Sequence, residues 1–309
     1  MALTNTKTDA TRVFLEGLSK IPDSWRQLVS YRTDDVSSLK LAALTGVQDP
    51  GVWTSGDMPV PGGGADPGTV AAGYPDAPGS QKTLAYDAYA LSLKLNKYDT
   101  KDVPQLANYT AQKLGMAVAH KYASLAYTTL IGAHTTNLLG IQATAAPTGK
   151  VIAGDHPCAD GVTTRSNRLT SELDSDALMV AIALMRNWKN FQGQYMALWD
   201  GPIYLVIPPA LERLALEATR SPLSGSDMQV NSAALFNIQI VVSPFLSDLD
   251  DWYLISGMES PVVYWERSSP MFSIDVDQDS RQTKISCDFA VKCDWGVTPD
   301  GIFASSVTA

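Results

Sequence analysis

The sequence predicts an α+β protein, and three observations carry that prediction. From Pro104 to about His134 apolar side chains recur at helical spacing without interruption; the last sixty residues alternate with period two; and between these stretches short helices and strands take turns. The chain has 309 residues, 45% hydrophobic and 18% charged, a balance that fits one large or two modest globular domains and excludes a fibre or a disordered tail.

The elements follow in order. Phe14, Leu18 and Ile21 recur at helical spacing over 8–21 until Pro22 and Asp23 stop the pattern, predicting a short N-terminal helix or arm. Beyond Trp25 and Val29, Leu39, Leu41 and Ala43 alternate weakly with Lys40 and Ala42, as a strand would. Residues 46–80 hold nine Gly and six Pro, too broken for a helix or a central strand. Loops longer than about 12–15 residues are uncommon inside compact domains. Tyr89, Leu91, Leu93 and Leu95 then alternate cleanly with Ala90, Ser92, Lys94 and Asn96. The loop therefore reads as the far part of a long two-stranded excursion, with few contacts in its own subunit and a neighbour to order it.

The central helix carries Leu106, Tyr109, Leu114, Val118, Leu125 and Leu130, with Asp102 as its expected N-cap. At 1.5 Å per residue it would run for about 45 Å, long enough to serve as a spine. A Gly/Ala/Thr-rich passage leads to the sequence GDHPC at 154–158. An amphipathic helix with Leu178, Ile182, Met185 and Trp188 follows, with Ser175 the expected cap and Gly193 the expected stop. The continuous apolar run 203–207 predicts a buried strand. Pro208 and Pro209 open a helix through Leu211, Leu214, Ala215 and Ala218 that ends at Ser221-Pro222. Strands are predicted at 236–242, 252–255, 262–265 and 272–276, and over the longest alternation, Ile285, Cys287, Phe289 and Val291.

Composition narrows function. Lys plus Arg total 23 against 32 Asp plus Glu, a net charge of -9 that repels a phosphate backbone and argues against charge-driven nucleic-acid binding. Three cysteines exclude a fully paired disulfide framework. Cys287 and Cys293 are six positions apart on one strand face, so their Cα atoms lie about 20 Å apart and both are expected in the core. The N-terminus has no apolar signal region and no run of about 18 apolar residues occurs, so neither export nor membrane insertion is expected and the protein is cytosolic when made.

Catalytic and metal constellations fail one by one. The sequence has no G-x-S-x-G elbow and no phosphate-binding loop. His120 and His134 are fourteen residues apart, about 21 Å along a helix, too far to share a metal. Asp155, His156 and Cys158 lack the paired spacing of zinc ligands and are expected to form a turn. Asp275, Asp277 and Asp279 imitate a calcium loop, but Ser280 and Ser286 stand where Gly and Glu are required. Asp248, Asp250 and Asp251 have no partner histidine in sequence and read as a charged loop before Trp252. No catalytic, cofactor-binding or metal site is expected.

Three features remain: a Gly/Pro-rich excursion, an N-terminal arm and an oversized helix. Each is surface that one subunit cannot bury, which points to a self-assembling structural subunit. Phe14, Leu18 and Trp25 on the arm and Trp53, Met58, Tyr74 and Lys82 on the excursion are the expected subunit-interface residues.

The stretches KYDTKDVPQ (97–105), GDHP (154–157), GPIYLVIPPALERLALEATRS (201–221), IQIVVSPFLSDLDDWYLIS (238–256) and WGVTPDGIFAS (295–305) resemble, in order and spacing, the major head subunit of Mu-like tailed phages. The resemblance covers about 85–305. It implies the Hong Kong 97-type capsid fold: an N-terminal arm at 1–30, an extended β-hairpin loop at 31–98, a peripheral domain with the spine helix at 99–134 and 258–309, and an axial domain at 135–257. It also implies pentamers and hexamers of this chain closing an icosahedral head shell, assembled in the host cytoplasm and ending in the virion. The packaged double-stranded DNA would be enclosed without sequence-specific binding. Expected partners are other copies and a portal; since the chain begins almost at the arm, scaffolding is expected to be either a separate protein or absent, and a cement protein is a further candidate partner. Lys82 is the only Lys between 46 and 93, where some members of the family cross-link their shells. An encapsulin-type compartment, built on the same fold, is the alternative.

Overall fold

The structure is a computed structural model and describes residues 2–42, 81–96, 105–136, 150–157, 164–190, 194–220, 223–224, 229–230, 232–277, 282–296 and 298–305. Its helices are α1 (Ala2–Leu18), α2 (Leu106–Ile131), α3 (Ser175–Arg186) and α4 (Glu212–Arg220). Its strands are β1 (Ser30–Thr33), β2 (Leu39–Ala42), β3 (Gln81–Leu84), β4 (Asp87–Asn96), β5 (His156–Pro157), β6 (Thr164–Arg165), β7 (Arg168–Leu169), β8 (Ile203–Ile207), β9 (Leu223–Ser224), β10 (Gln229–Val230), β11 (Ile238–Val242), β12 (Trp252–Ser256), β13 (Val262–Asp277), β14 (Gln282–Trp295) and β15 (Ile302–Ser305). The chain divides into two compact units, one of 1–39, 84–128 and 263–294, the other of 40–83, 129–262 and 295–309.

The first unit is built on a four-stranded sheet in the order β1-β13-β14-β4. β1 runs parallel to β13 and β4 antiparallel to β14. The alternation at 285–291 is the reason for the sheet's apolar face: Ile285, Cys287, Phe289 and Val291 are all buried. β13 is one continuous strand where the sequence suggested two, because Ser268, Ser269 and Pro270 hide the alternation. The proline is tolerated because β1 accompanies β13 only from Val263 to Glu266. Beyond that point β13 has no second neighbouring strand among the described residues, the edge situation in which proline is found within sheets.

α2 buries Ala111, Leu114, Val118, Tyr122, Ala126 and Leu130, one stripe at spacings of three and four. Its 26 residues give a rod of about 39 Å. The Tyr122 ring meets Phe289 at 5.2 Å, so the helix covers part of the sheet's apolar face. α1 crosses α2 at a glycine contact. A Cβ on Gly115 would strike the Phe14 carbonyl oxygen, and one on Gly17 the Gln112 backbone.

The second unit is organised by a five-stranded sheet in the order β11-β8-β12-β15-β7. β8 and β11 are parallel and joined through α4; β12 is antiparallel to both β8 and β15. Leu178, Ile182 and Met185 of α3 pack with Trp188, Leu205, Trp252 and Phe303 in its core. The helix is capped by Asp174, whose carboxylate accepts from the Ala177 N–H at 2.6 Å, and not by Ser175, which is its first residue. It also ends at Arg186, before the expected stop, so Trp188 leaves the helix and turns into the core. Residues 302–305 form β15, inside this sheet. Ile302 and Phe303 are buried and pair with Ile255 and Leu254 of β12, while Ala304 and Ser305 pair also with β7. Gly301 enters β15 at φ 91, a left-handed conformation that glycine adopts without strain.

β2 and β3 form a two-stranded sheet flanking 43–80 in sequence, while the 89–95 alternation, expected as a strand of the excursion, pairs with β14. The excursion itself and the expected cap Asp102 lie outside the described residues. No helix among the described residues is long and apolar enough to cross a membrane.

Gly115→Val places side-chain volume against the backbone of α1, and overpacking of this kind costs about 1–3 kcal/mol. The denaturant midpoint of the dissociated subunit is expected to fall accordingly. An unchanged midpoint would show that α1 does not cross α2 at this glycine.

Candidate assembly surfaces

The longest surface feature begins with β4. All ten residues of this strand pair with β14, and among the described residues no strand pairs with its other edge. Leu91 and Leu93 stand directly across from Cys287 and Ile285 and so share their face. The inner pair is buried, but Leu91 is 41% and Leu93 43% exposed. Near the start of β4, Tyr89 stacks on Phe289 at 5.2 Å and the Lys121 ammonium lies 4.8 Å from the Tyr89 ring centroid, so α2 covers that end. The apolar face thus continues past its own cover to an open edge.

The predicted interface residues fall in different places. Phe14 is 1% exposed and stacks on Phe272 at 4.8 Å; Trp25 is 4% exposed and packs on Tyr264 at 4.6 Å. These rings are large enough to fill the space between the N-terminal segment and the sheet, and they bind the arm to its own unit. Leu18 is half-buried and lines a cleft of about 550 Å³ with Ile21, Pro22, Arg26, Tyr31 and Pro270. The buried Glu266 carboxylate also lines this cleft and accepts from the Tyr122 hydroxyl over a long 3.5 Å. Lys82 lies on β3, with its side chain outside the described residues, as are Trp53, Met58 and Tyr74.

The residues weighed for metal or acid–base chemistry resolve into structural roles. His156 is buried on β5 and donates from Nε2 to Asn167 Oδ1 at 3.0 Å. Asn167 in turn receives the Ala153 N–H at 2.9 Å and donates to the Val151 carbonyl at 2.9 Å. Beside this cluster Asp300 accepts from Trp188 Nε1 at 2.7 Å and from Arg165 at 3.0 Å, while the guanidinium lies 4.8 Å from the Trp188 ring centroid and also donates to the Lys189 carbonyl. This charged knot ties the β6 hairpin, the end of α3 and the approach to β15 together. Neither Arg165 nor Asp300 stood out in the sequence, because their partners are 135 positions apart.

Asp251, which has no histidine nearby in sequence, is buried with His134, whose Nε2 lies 4.0 Å from its carboxylate. Burial pushes the His134 imidazole below its ordinary value of 6.5, helped by Arg168 and Lys150 and opposed by Asp248. Burial does the same to His156, against its bond to Asn167. Cys287 is buried and Cys293 half-buried, and neither is in a disulfide. No group of three or more His, Cys, Asp or Glu side chains able to hold a metal ion occurs among the described residues.

What this arrangement offers is surface: an uncovered sheet edge beside a spine helix, and an α/β unit held rigid by a buried ion pair. The same architecture recurs in solved shells. The capsid of a native GTA particle aligns with 94% of this chain and 92% of its own at TM-score 0.56 and 14% identity. The mature capsid of bacteriophage PhiM1 covers 93% and 88% at 0.54 and 13%. A virus-like particle from Pyrococcus furiosus covers 97% and 98% at 0.54 and 10%. The fold is the Hong Kong 97-type capsid fold, that of a shell-building subunit. A family model described as phage capsid protein matches residues 88–305, and the chain belongs to that family. It is a structural subunit of a phage capsid, and the encapsulin alternative is not favoured. No curated protein matches the chain.

Asp300→Ala leaves a buried guanidinium without its carboxylate, which costs about 3–5 kcal/mol. Urea unfolding should register that loss, and a change below about 1 kcal/mol would remove the knot from the stability of this unit. The two histidines set a pH dependence. Their native values lie below 6.5, so as the pH falls the unfolded chain takes up protons first. Their contribution is complete above about pH 6.5 and declines below it, by up to about 1.4 kcal/mol per pH unit for each histidine. His156→Gln is expected to flatten this slope in midpoints measured between about pH 6.5 and 5, and an identical slope would sink the assignment.

Proposed function

We propose that this chain is the major head subunit of a Mu-like tailed phage, forming pentamers and hexamers that close an icosahedral shell around double-stranded DNA. The observation that carries the reading is the β4 edge: ten residues of strand whose other side meets no strand among the described residues, with an apolar face left open at Leu91 and Leu93. An exposed edge of that length templates association with another chain unless something covers it. A second copy is the partner a homopolymeric shell supplies.

In this reading the first unit takes the peripheral role and most of the second the axial role at capsomer centres, with 46–80 reaching a neighbour. Leu18, Trp53, Met58, Tyr74 and Lys82 contribute to intersubunit contact. The net charge of -9 keeps the enclosed genome from adhering to the wall, so DNA is confined without being read. A portal and a separate scaffolding or cement protein complete the particle, which assembles in the host cytoplasm.

Replacing Leu91 and Leu93 together by Lys alters exposed positions and should change subunit stability by no more than about 0.5 kcal/mol per site. The purified parent is expected to form hollow polyhedra under negative stain, and L91K/L93K to remain as folded, unassembled subunits. Normal shells from the double variant would remove the β4 edge from assembly.

A further inference from the structure

The second unit carries two unmatched surface features at opposite ends of its five-stranded sheet. At the end where β8 and β11 begin and β12 finishes, the Arg186 guanidinium at the C-terminus of α3 lies between aromatic side chains, 5.1 Å from the Trp199 ring centroid and 4.9 Å from that of Phe236. Leu235, 82% exposed, stands one residue before Phe236, in a turn that packs on α3. Met258, also exposed, lies against Gly201 at the same end. Among the described residues no carboxylate pairs with Arg186. A cation fixed over ring faces is oriented before any anion arrives, and its apolar rim excludes water around the contact.

At the other end, where β11 finishes and the chain turns into β12, the Asp250 N–H donates to Asp248 Oδ1 at 3.0 Å. This tight turn presents Leu249, 59% exposed, between two carboxylates. Neither Asp248 nor Asp250 has a salt-bridge partner among the described residues. Five-residue β8 separates the two ends by roughly 13 Å before loops are counted. A subunit cannot fold its own acidic turn onto its own aromatic patch.

The features complement each other in chemistry, an apolar knob between carboxylates and a cation within an apolar rim. Contact between two unlike faces of identical copies is heterologous and, when the rotation closes, makes a ring. We infer that the Asp248–Leu249–Asp250 turn of one copy docks on the Arg186–Trp199–Leu235 patch of the next, with the Asp250 carboxylate on the Arg186 guanidinium and Leu249 against Leu235 and Trp199. The contact rests on the shell-subunit reading and gives it a direction, head to tail around a capsomer.

Charge reversal of the full-length protein tests the pairing. Arg186→Glu and Asp250→Arg are each expected to reduce capsomer-sized species in sedimentation velocity by at least about tenfold, with far-UV circular dichroism and melting unchanged. The combined R186E/D250R chain is expected to recover them. Single variants that assemble like the parent, or a folded double variant that does not recover, overturn the contact while leaving the shell reading intact. A parent that stays monomeric at every concentration overturns both. Cysteine pairing gives a second measure against the parent's own thiols as background. A mixture of Leu235→Cys and Leu249→Cys chains should yield an oxidised cross-linked dimer that neither chain forms alone. A dimer from Leu249→Cys alone would mean a symmetric contact and overturn the head-to-tail arrangement, as would assembled particles from the mixture with no cross-link.

Discussion

A β-strand paired on one side presents a row of unpaired N–H and C=O groups on the other, and among the described residues β4 is such a strand along ten residues. Most folded proteins blunt such an edge with charges, prolines, bulges or a covering helix. Here α2 meets the face at Tyr89 and Phe289, and Leu91 and Leu93 stay exposed although Cys287 and Ile285 beside them are fully enclosed. The same sheet that builds the subunit's core is therefore unfinished at its rim. Completion from outside the chain is the physical sense in which this protein is a building block.

An assembling subunit also needs parts that do not deform when neighbours press on them. In the first unit the arm is bound by packed rings, Phe14 stacked on Phe272 and Trp25 tilted against Tyr264, each displacing a large apolar area from water. In the second the Arg165–Asp300 pair is removed from solvent and hydrogen-bonded to Trp188 and a backbone carbonyl. A buried pair of this kind adds little net stability over an apolar replacement, yet breaking one partner is costly. It fixes where the β6 hairpin, the end of α3 and β15 meet. Rigidity of that sort keeps surface side chains such as Arg186 in one orientation.

Local pattern made much of this legible. The period-two alternation at 89–95 and 285–291 gave β4 and β14, and the spacing of Leu114, Val118 and Leu130 gave α2, because in each case one buried face imposes its own period on the sequence. The cap of α3 was misplaced by one residue, since Asp174 and Ser175 are both good caps and only backbone geometry chooses between them. The partner of Asp251 was invisible because His134 is distant in sequence and the two meet only after the second unit folds.

Phe14 and Trp25 show the limit most clearly. An aromatic residue on an N-terminal segment has the same sequence signature whether it docks on a neighbour or on its own sheet. By itself the sequence determined the elements, the α+β class, the acidic surface and the presence of more edge and arm than one small fold usually carries. Only the tertiary structure decided which of those surfaces were already filled, that β15 belongs beside β12, and that Arg186 and Asp250 end at opposite poles of one sheet. Element formation follows from interactions a few residues apart, whereas burial and facing depend on contacts between segments whose separation along the chain carries no information about their distance in space.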